Sequence, residues 1–348
     1  MSHPLPFISR QQAQAPFFVG VDLGGTNIKV GVVDDLGRPL SWLSIKTDAP
    51  RGAEDATARM GQAVQQAIRQ AGLQPQDAVY AGLGSPGTMD IPAGMLLEPV
   101  NMPTWKNYPI RDRLSFHCGL PVAFANDAGA AAYGEFWVGS GRELASLVLL
   151  TLGTGVGGGI IVGGFSIDGE HSHGAECGHL IIDYHDDARM CGCGQRGHLE
   201  AYASATAVIQ RASEALAADR TSSLHQRIAA GEALSPLLLA QEAERGDALS
   251  RDIVLETARY LGVGIVSFMH TIDPAGVIIG GAMTFGGHES PLGCEFLARI
   301  RQEVRSRAFP VPAAKTKIDF ASLGGDAGYI GAAGIARVAY RRGQGLPL

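Results

Sequence analysis

A chain of 348 residues, 46% hydrophobic and 18% charged, is long enough for two packed cores and too apolar for a disordered protein. Its formal net charge of −6 argues against a general nucleic-acid binder, which needs a basic surface to displace counterions, and leaves room for a local basic patch. No apolar run is long enough to span a bilayer, the first residues (MSHPLPFISRQQAQAP) lack a signal-peptide pattern, and the five cysteines are no disulfide framework, so a cytoplasmic location is expected.

Residues 1–16 read as a short N-terminal arm. APFFVGVDL and IKVGVVD read as two strands joined by a Gly-Gly turn, and PLSWLSIK as a third. From Ala53 to Leu73, Met60, Val64, Ile68 and Ala71 recur at helical spacing, predicting an amphipathic helix. AVYAGLG follows as a buried strand, and PVAFAND as a strand running into the alanine-rich helix AGAAAYGEFWVG. LASLVLLTLG and GGGIIVGG then repeat the strand–glycine–strand pattern, ahead of a polar, glycine-rich segment. The second half of SRDIVLETARYLGVGIVSFMHTIDP predicts a buried helix, AGVIIGGAM and TKIDFASLG two strands, and DAGYIGAAGIARVAYRR a closing helix. The expected organisation is a small α/β domain over 17–125, a large α/β domain over 126–325 with a polar loop at 176–200, and a closing helix, 326–345, packing back on the small domain.

The two glycine turns invite a phosphate. Without Cβ atoms at the tip, phosphate oxygens can approach backbone N–H groups, and positive φ is free. At the first turn, Asp22 leads into Gly24, Gly25 and Thr26, with Asn27 and Lys29 beyond; such an Asp suits magnesium or its waters, and the Thr hydroxyl a phosphate oxygen. The second turn, Gly153-Thr154-Gly155, has no acid and reads as a backbone-and-hydroxyl cradle. A third, Gly280-Gly281, offers backbone to an adenine or ribose. The bland alternative is that glycines merely mark hairpins.

Asn126 and Asp127 fall where a buried strand gives way to a helix, the edge at which open α/β sheets bind ligands. Either residue alone serves as an N-cap. Beside phosphate cradles, Asp127 is the candidate base for phosphoryl transfer to an alcohol, with Asn126 holding the same substrate. His179, Cys191, Cys193 and His198 offer two nitrogens and two sulfurs, a set that structural, tetrahedral zinc accepts. His171, His173, His185, Asp183 and Cys177 compete as ligands, and free thiols with surface histidines are the alternative. Glu176 and Glu200 flank the cluster, which would fix them for sugar hydroxyls; taken singly each reads as an exposed charge. Cys118 and Cys294 read as small buried apolar residues.

Together, LGTGVGGGIIVGGFSIDGEHSHGAECGH, CGCGQRGHLE and DLGGTN resemble the ROK family of bacterial sugar kinases, within the actin-like ATPase superfamily. The resemblance runs from about Phe17 to near the C-terminus. It implies a two-domain actin-like ATPase (ribonuclease H-like) fold with duplicated mixed sheets, a cleft between the domains, and a homodimer or tetramer. It also implies phosphate binding by the segments matching DLGGTN and GTGVGGG, and a base at Asp127 acting on a sugar 6-hydroxyl. Sugar contacts are implied at Asn126, Glu176, His179 and Glu200, with His179 also on zinc. The family's zinc loop usually ends in a third Cys, where this chain has His198; imidazole can replace thiolate on zinc. NMPTWKNYPI resembles the segment of the family's glucokinases that makes Asn101 a sugar contact, and GLGSPGTMD puts Gly84 near the hexose.

The expectation is therefore an ATP-dependent glucokinase using ATP, Mg2+ and structural Zn2+, with no nucleic-acid or membrane partner. A kinase for fructose, mannose or an N-acetylhexosamine is the alternative. A sugar-responsive repressor of the family would carry a helix-turn-helix domain, for which the roughly sixteen residues before the first strand are too few. An assembly ATPase of the actin type has no use for the Cys/His cluster or for Glu176 and Glu200.

Overall fold

A computed structural model describes residues 3–99 and 102–347. The chain divides into two compact units: Met1–Leu147 with Gly159–Ala175 and Ser322–Leu348, and Val148–Gly158 with Glu176–Ala321.

The first unit holds β1 (Phe17–Leu23), β2 (Asn27–Val33), β3 (Pro39–Lys46), β4 (Ala78–Ser85), the hairpin β5 (Thr88–Asp90) and β6 (Met95–Glu98), and β7 (Val122–Asn126). Its helices are α1 (Ala53–Gln70), α2 (Ile110–Cys118), α3 (Asp127–Trp137) and α11 (Ala327–Gly343). The sheet order is β3-β2-β1-β4-β7, antiparallel through β3-β2-β1 and parallel through β1-β4-β7. Alternation along β1 sorts its side chains onto two faces. Val19, Val21 and Leu23 join Met60, Val64 and Ile68 of α1 in one core, and Phe18 joins Tyr329, Ile330 and Ala333 of α11 in another. Cutting Met60 or Ile68 back to alanine should cost about 2–5 kcal/mol.

Small residues let α11 lie backbone-to-backbone on its neighbours. A Cβ on Gly82 of β4 would stand 1.8 Å from the Ala332 carbonyl oxygen, and one on Gly331 of α11 would stand 1.6 Å from that of Ala130 in α3. Because α3 packs on α11, the first unit runs on to Leu147 instead of stopping at 125 as the sequence suggested. The arm before β1 is tied down: Ile8 N–H donates to the Pro39 carbonyl at 2.9 Å and Gln14 N–H to Asp34 Oδ2 at 3.1 Å.

A second sheet repeats the strand order, as β10-β9-β8-β11-β12, built from β8 (Ser146–Leu152), β9 (Val156–Val162), β10 (Phe165–Ser166), β11 (Gly276–Gly281) and β12 (Lys317–Phe320). The helices of the second unit are α4 (Glu200–Ala203), α5 (Ala205–Ala217), α6 (Leu224–Ala229), α7 (Pro236–Glu244), α8 (Ala248–Ile272), α9 (Pro291–Arg307) and α10 (Pro310–Lys315). α8 buries Leu261, Gly262, Gly264, Ile265, Phe268 and Met269 in its second half. The polar loop has a small core of its own in Cys191, Ala201 and Tyr202. Cys118 is buried, whereas Cys294 is exposed near the start of α9, contrary to the sequence reading; its Sγ leans on the His288 carbonyl at 3.6 Å. No helix among the described residues is long and apolar enough to cross a membrane.

Candidate active site

Strand register brings four of the candidate residues of the first unit to one edge. Asp22 of β1 lies opposite Gly84 of β4, and Ser85 lies opposite Asn126 of β7. This is the carboxyl end of three parallel strands, and α3 starts there with Asp127. Asn126 caps that helix: its Oδ1 accepts from Ala128 N–H at 2.9 Å and from Gly129 N–H at 3.2 Å, leaving its amide NH2 as a donor. Asp127 Oδ1 also accepts from Ala128 N–H, at 2.9 Å. Gly84 lets α3 pack close to β4, since a Cβ there would lie 3.2 Å from the Ala130 Cβ.

Asp22 is held in a demanding environment. Loss of water around its carboxyl, with a smaller contribution from the Asp127 charge, pushes its pKa up to about 6 against the opposing pull of Lys29. Lys29 donates its Nζ proton to the Gly325 carbonyl just ahead of α11. Gly328, in the first turn of α11, has no room for a side chain, because a Cβ would stand 2.5 Å from the Asp22 carboxyl carbon. The sequence reading did not pick out this contribution from the closing helix, since nothing in GGDAGY alone points to Asp22. Gly25, Thr26 and Asn27 at the turn are exposed. Gly24 N–H bonds to the Asn27 carbonyl at 3.0 Å, and a Cβ on Gly24 would sit 2.8 Å from that oxygen. Close approach, not positive φ, is what Gly24 supplies, for it is absent from the positive-φ glycines.

In the second unit, the turn at Gly153-Thr154-Gly155 exposes Thr154 and leaves open space where a Gly153 Cβ would be. The turn has no acid of its own, yet a carboxylate stands against it. Glu200 Oε2 accepts the Val156 N–H at 2.9 Å, and a Cβ on Gly155 would lie 2.3 Å from that oxygen. The other oxygen, Oε1, meets the Cys191 thiol at 3.4 Å. Gly281 has a packing reason of its own: at φ +90 a Cβ would stand 2.3 Å from the Leu152 carbonyl oxygen.

His179, Cys191, Cys193 and His198 converge, with one potential ligand atom from each within 4.8 Å of the others. The two Nδ1 atoms are 3.1 Å apart, Cys193 Sγ is 3.2 Å from His198 Nδ1, and Cys191 Sγ is 3.8 Å from His179 Nδ1. A zinc tetrahedron with ligand distances of about 2.0–2.3 Å has edges of roughly 3.3–3.8 Å, so the donor set and its spacing fit that ion. None of the competing candidates His171, His173, His185, Asp183 and Cys177 is a member of this group. Asp183 accepts from the Tyr202 hydroxyl at 2.6 Å, and burial with the nearby Glu176 charge pushes the Cys177 thiol up to about 12. Glu176 is exposed, with Oε2 4.0 Å from His179 Nε2, the ring nitrogen turned away from the cluster. Asn101 lies outside the described residues; beside it, Met102 and Trp105 are fully buried, and Trp105 Nε1 donates to the Ala49 carbonyl at 3.0 Å.

The profile of the ROK family matches residues 18–339. The chain belongs to the ROK family. A glucokinase of Thermotoga maritima is 33% identical over 319 residues, which is 92% of this chain and 96% of that one. Among ROK structures, a hexokinase from Thermus thermophilus superposes with a TM-score of 0.79 at 31% identity, covering 94% of this chain and 99% of the other. A ROK glucokinase from Streptomyces griseus in complex with glucose and AMPPNP gives 0.72 at 32% identity, over 92% and 99%. ROK relatives also include a xylose repressor of Caldicellulosiruptor bescii, 28% identical over 308 residues, 88% of this chain and 74% of that protein. The two sheets of like strand order are those of the actin-like ATPase fold.

Proposed function

We propose that this protein is an ATP-dependent glucokinase that phosphorylates the 6-hydroxyl of glucose, with Asp127 as general base. The observation that carries the reading is the register at the carboxyl edge of β1, β4 and β7. It sets Asp127, at a helix N-terminus that favours an ionised carboxylate, close enough to Asp22 for the two charges to interact. Asp127 takes the proton from the sugar hydroxyl as that oxygen forms its bond to the γ-phosphorus, and the bond to the departing ADP oxygen breaks. The turns at Gly24-Gly25-Thr26-Asn27 and Gly153-Thr154-Gly155 offer N–H and hydroxyl groups to the phosphates, with Lys29 adding positive charge. Gly280 and Gly281 lie by the nucleoside in this reading. Asp22 would hold magnesium, which would supply further charge neutralisation to the triphosphate.

Gly84, Asn101, Asn126, Glu176, His179 and Glu200 are the proposed sugar contacts. Zinc on His179, Cys191, Cys193 and His198 supplies rigidity to the loop that presents three of them. Glucose and AMPPNP in the Streptomyces griseus relative, and the name of the Thermotoga maritima relative, support this pair of substrates.

A coupled assay of ADP formation across glucose, fructose, mannose and N-acetylated hexoses tests the proposal. The highest kcat/KM is expected with glucose. ADP formation that ignores the sugar, or a marked preference for another hexose, would contradict it. The repressor reading is favoured by the xylose repressor among the relatives, and sequence-specific operator binding without sugar-dependent ATP turnover would establish it.

A further inference from the structure

In the second unit, residues of α5, α8 and α9 line an open cleft of about 660 Å³. Its wall is unusually ionic, with Arg189, Arg211, Arg220 and Arg299 set among Glu214, Asp252 and Glu256. Each of those carboxylates already faces an arginine. Glu214 is held by both Nη atoms of Arg189, Asp252 lies 3.3 Å from Arg220, and Glu256 accepts from Arg259 at 2.9 Å. Arg299 pairs with Glu303 at 3.1 Å. Arg211 is left over.

No carboxylate contacts its guanidinium among the described residues, although Glu256 and Glu214 stand near enough to act on its charge. Nη2 donates to the Thr257 hydroxyl and, at 3.4 Å, to the Ile253 carbonyl, while the Tyr260 ring lies 5.4 Å from Cζ. Nε–H is buried and has no acceptor at all. Burial also holds its pKa below the ordinary arginine value, with the nearby Arg189 charge adding to that effect. A largely buried cation with no anion in contact is costly, and a buried donor without an acceptor adds to the cost. An anion from outside the chain, in contact with the guanidinium, would offset that cost. Guanidinium is suited to phosphate and carboxylate, to which it can donate two parallel hydrogen bonds.

We propose that this cleft is a binding site for a small oxyanion, with Arg211 as its anchoring cation. The volume exceeds that of a bare phosphate and falls within the range of roughly 300–1,000 Å³ typical of small-molecule sites, so the oxyanion is one group of a ligand about the size of a sugar phosphate. The paired acids and arginines around it supply acceptors and donors for hydroxyl groups. This site does not rest on the kinase reading, since it shares no residue with the turns, with Asp127 or with the Cys/His cluster.

Thermal unfolding of the full chain and of Arg211→Met tests it, at constant ionic strength and without nucleotide. Methionine keeps the unbranched apolar stem against Tyr260 and removes the charge. In chloride alone, R211M should unfold at the wild-type temperature or above, because an uncompensated charge has gone. Inorganic phosphate, acetate and glucose 6-phosphate are then added separately. A rise of several degrees in wild type that is mostly lost in R211M supports the site, and the added anion that produces it distinguishes phosphoryl from carboxylate. Arg211→Lys, which keeps a cation but not the two-pronged donor, should respond part-way and covers the case in which R211M fails to fold. Equal rises in wild type and both variants would assign the effect to other phosphate sites and overturn the proposal. So would an R211M that unfolds well below wild type while no anion stabilises wild type more than R211K.

Discussion

The turn between β1 and β2 brings its own charges: Asp22 and Lys29 are neighbours in sequence and lie across from each other in the hairpin register. The turn between β8 and β9 has Thr151 and neutral residues in the matching stretch, and its carboxylate arrives from Glu200, 44 residues beyond Val156. Two sheets of the same strand order therefore reach an acid-bearing turn by different routes. The first is local and is braced by the closing helix at Gly328, whereas the second depends on the fold of the polar loop and its Cys/His cluster. A local charge tunes its turn through burial, and a borrowed one ties its turn to the Cys/His cluster.

Four experiments break or sharpen that contrast. Asp127→Asn should lower turnover by about 10²–10⁴ with the unfolding temperature unchanged, as expected for a general base. Near-normal turnover would detach both turns from a common reaction at this residue. Next, Gly155→Ala drives a Cβ into the Glu200 carboxylate, and Glu200→Ala removes the acceptor for Val156 N–H. Loss of one charge-assisted hydrogen bond is worth about 1.5–3 kcal/mol, so kcat/KM should fall by roughly 10- to 100-fold. If Glu200 steadies the second turn, KM for ATP rises in both variants; a change confined to KM for the sugar would leave Glu200 a sugar contact only.

The third experiment concerns pH. Asp22 binds its proton more tightly folded than unfolded, with a pKa near 6 against 3.8. Its contribution to stability is therefore present below about pH 4 and is lost as pH rises through 6. Asp22→Asn should lack that slope in unfolding temperature against pH. In wild type, KM for Mg-ATP should fall severalfold as pH rises through about 6 and the carboxylate ionises, and D22N should stay flat. A wild-type profile without this step would place Asp22 outside the nucleotide site. The smallest effect is expected from metal removal. A chelator should lower the unfolding temperature of wild type by a few degrees and leave His198→Ala unmoved, while the pH profile owed to Asp22 persists. Loss of that profile on chelation would mean that the two turns are not separately built.

Much of the fold was legible because it is written in local patterns. Short apolar runs rich in β-formers and bounded by turn residues marked β1, β2, β4, β7 and β8, and the spacing of Met60, Val64 and Ile68 marked α1. The four residues that converge at the Cys/His cluster were picked out by their chemistry as a ligand set. What escaped the sequence depends on distance along the chain. Nothing near Glu200 points to the Val156 amide, and Gly82 and Gly331 are ordinary small residues until α11 is laid on the sheet. The end of the first unit at Leu147 was missed for the same reason, since it follows from the packing of α3 on a helix nearly 200 residues later. The hairpin β5–β6 is short and weakly patterned, which left it unread.

The most direct test follows the phosphorus. Wild-type protein is given ATP, magnesium and glucose, and the products are identified by phosphorus NMR. The account predicts one sugar phosphate, esterified at the 6-hydroxyl, formed in step with ADP, and almost none over the same time with Asp127→Asn. Free phosphate in place of the ester, or an ester formed equally fast by the variant, would contradict it.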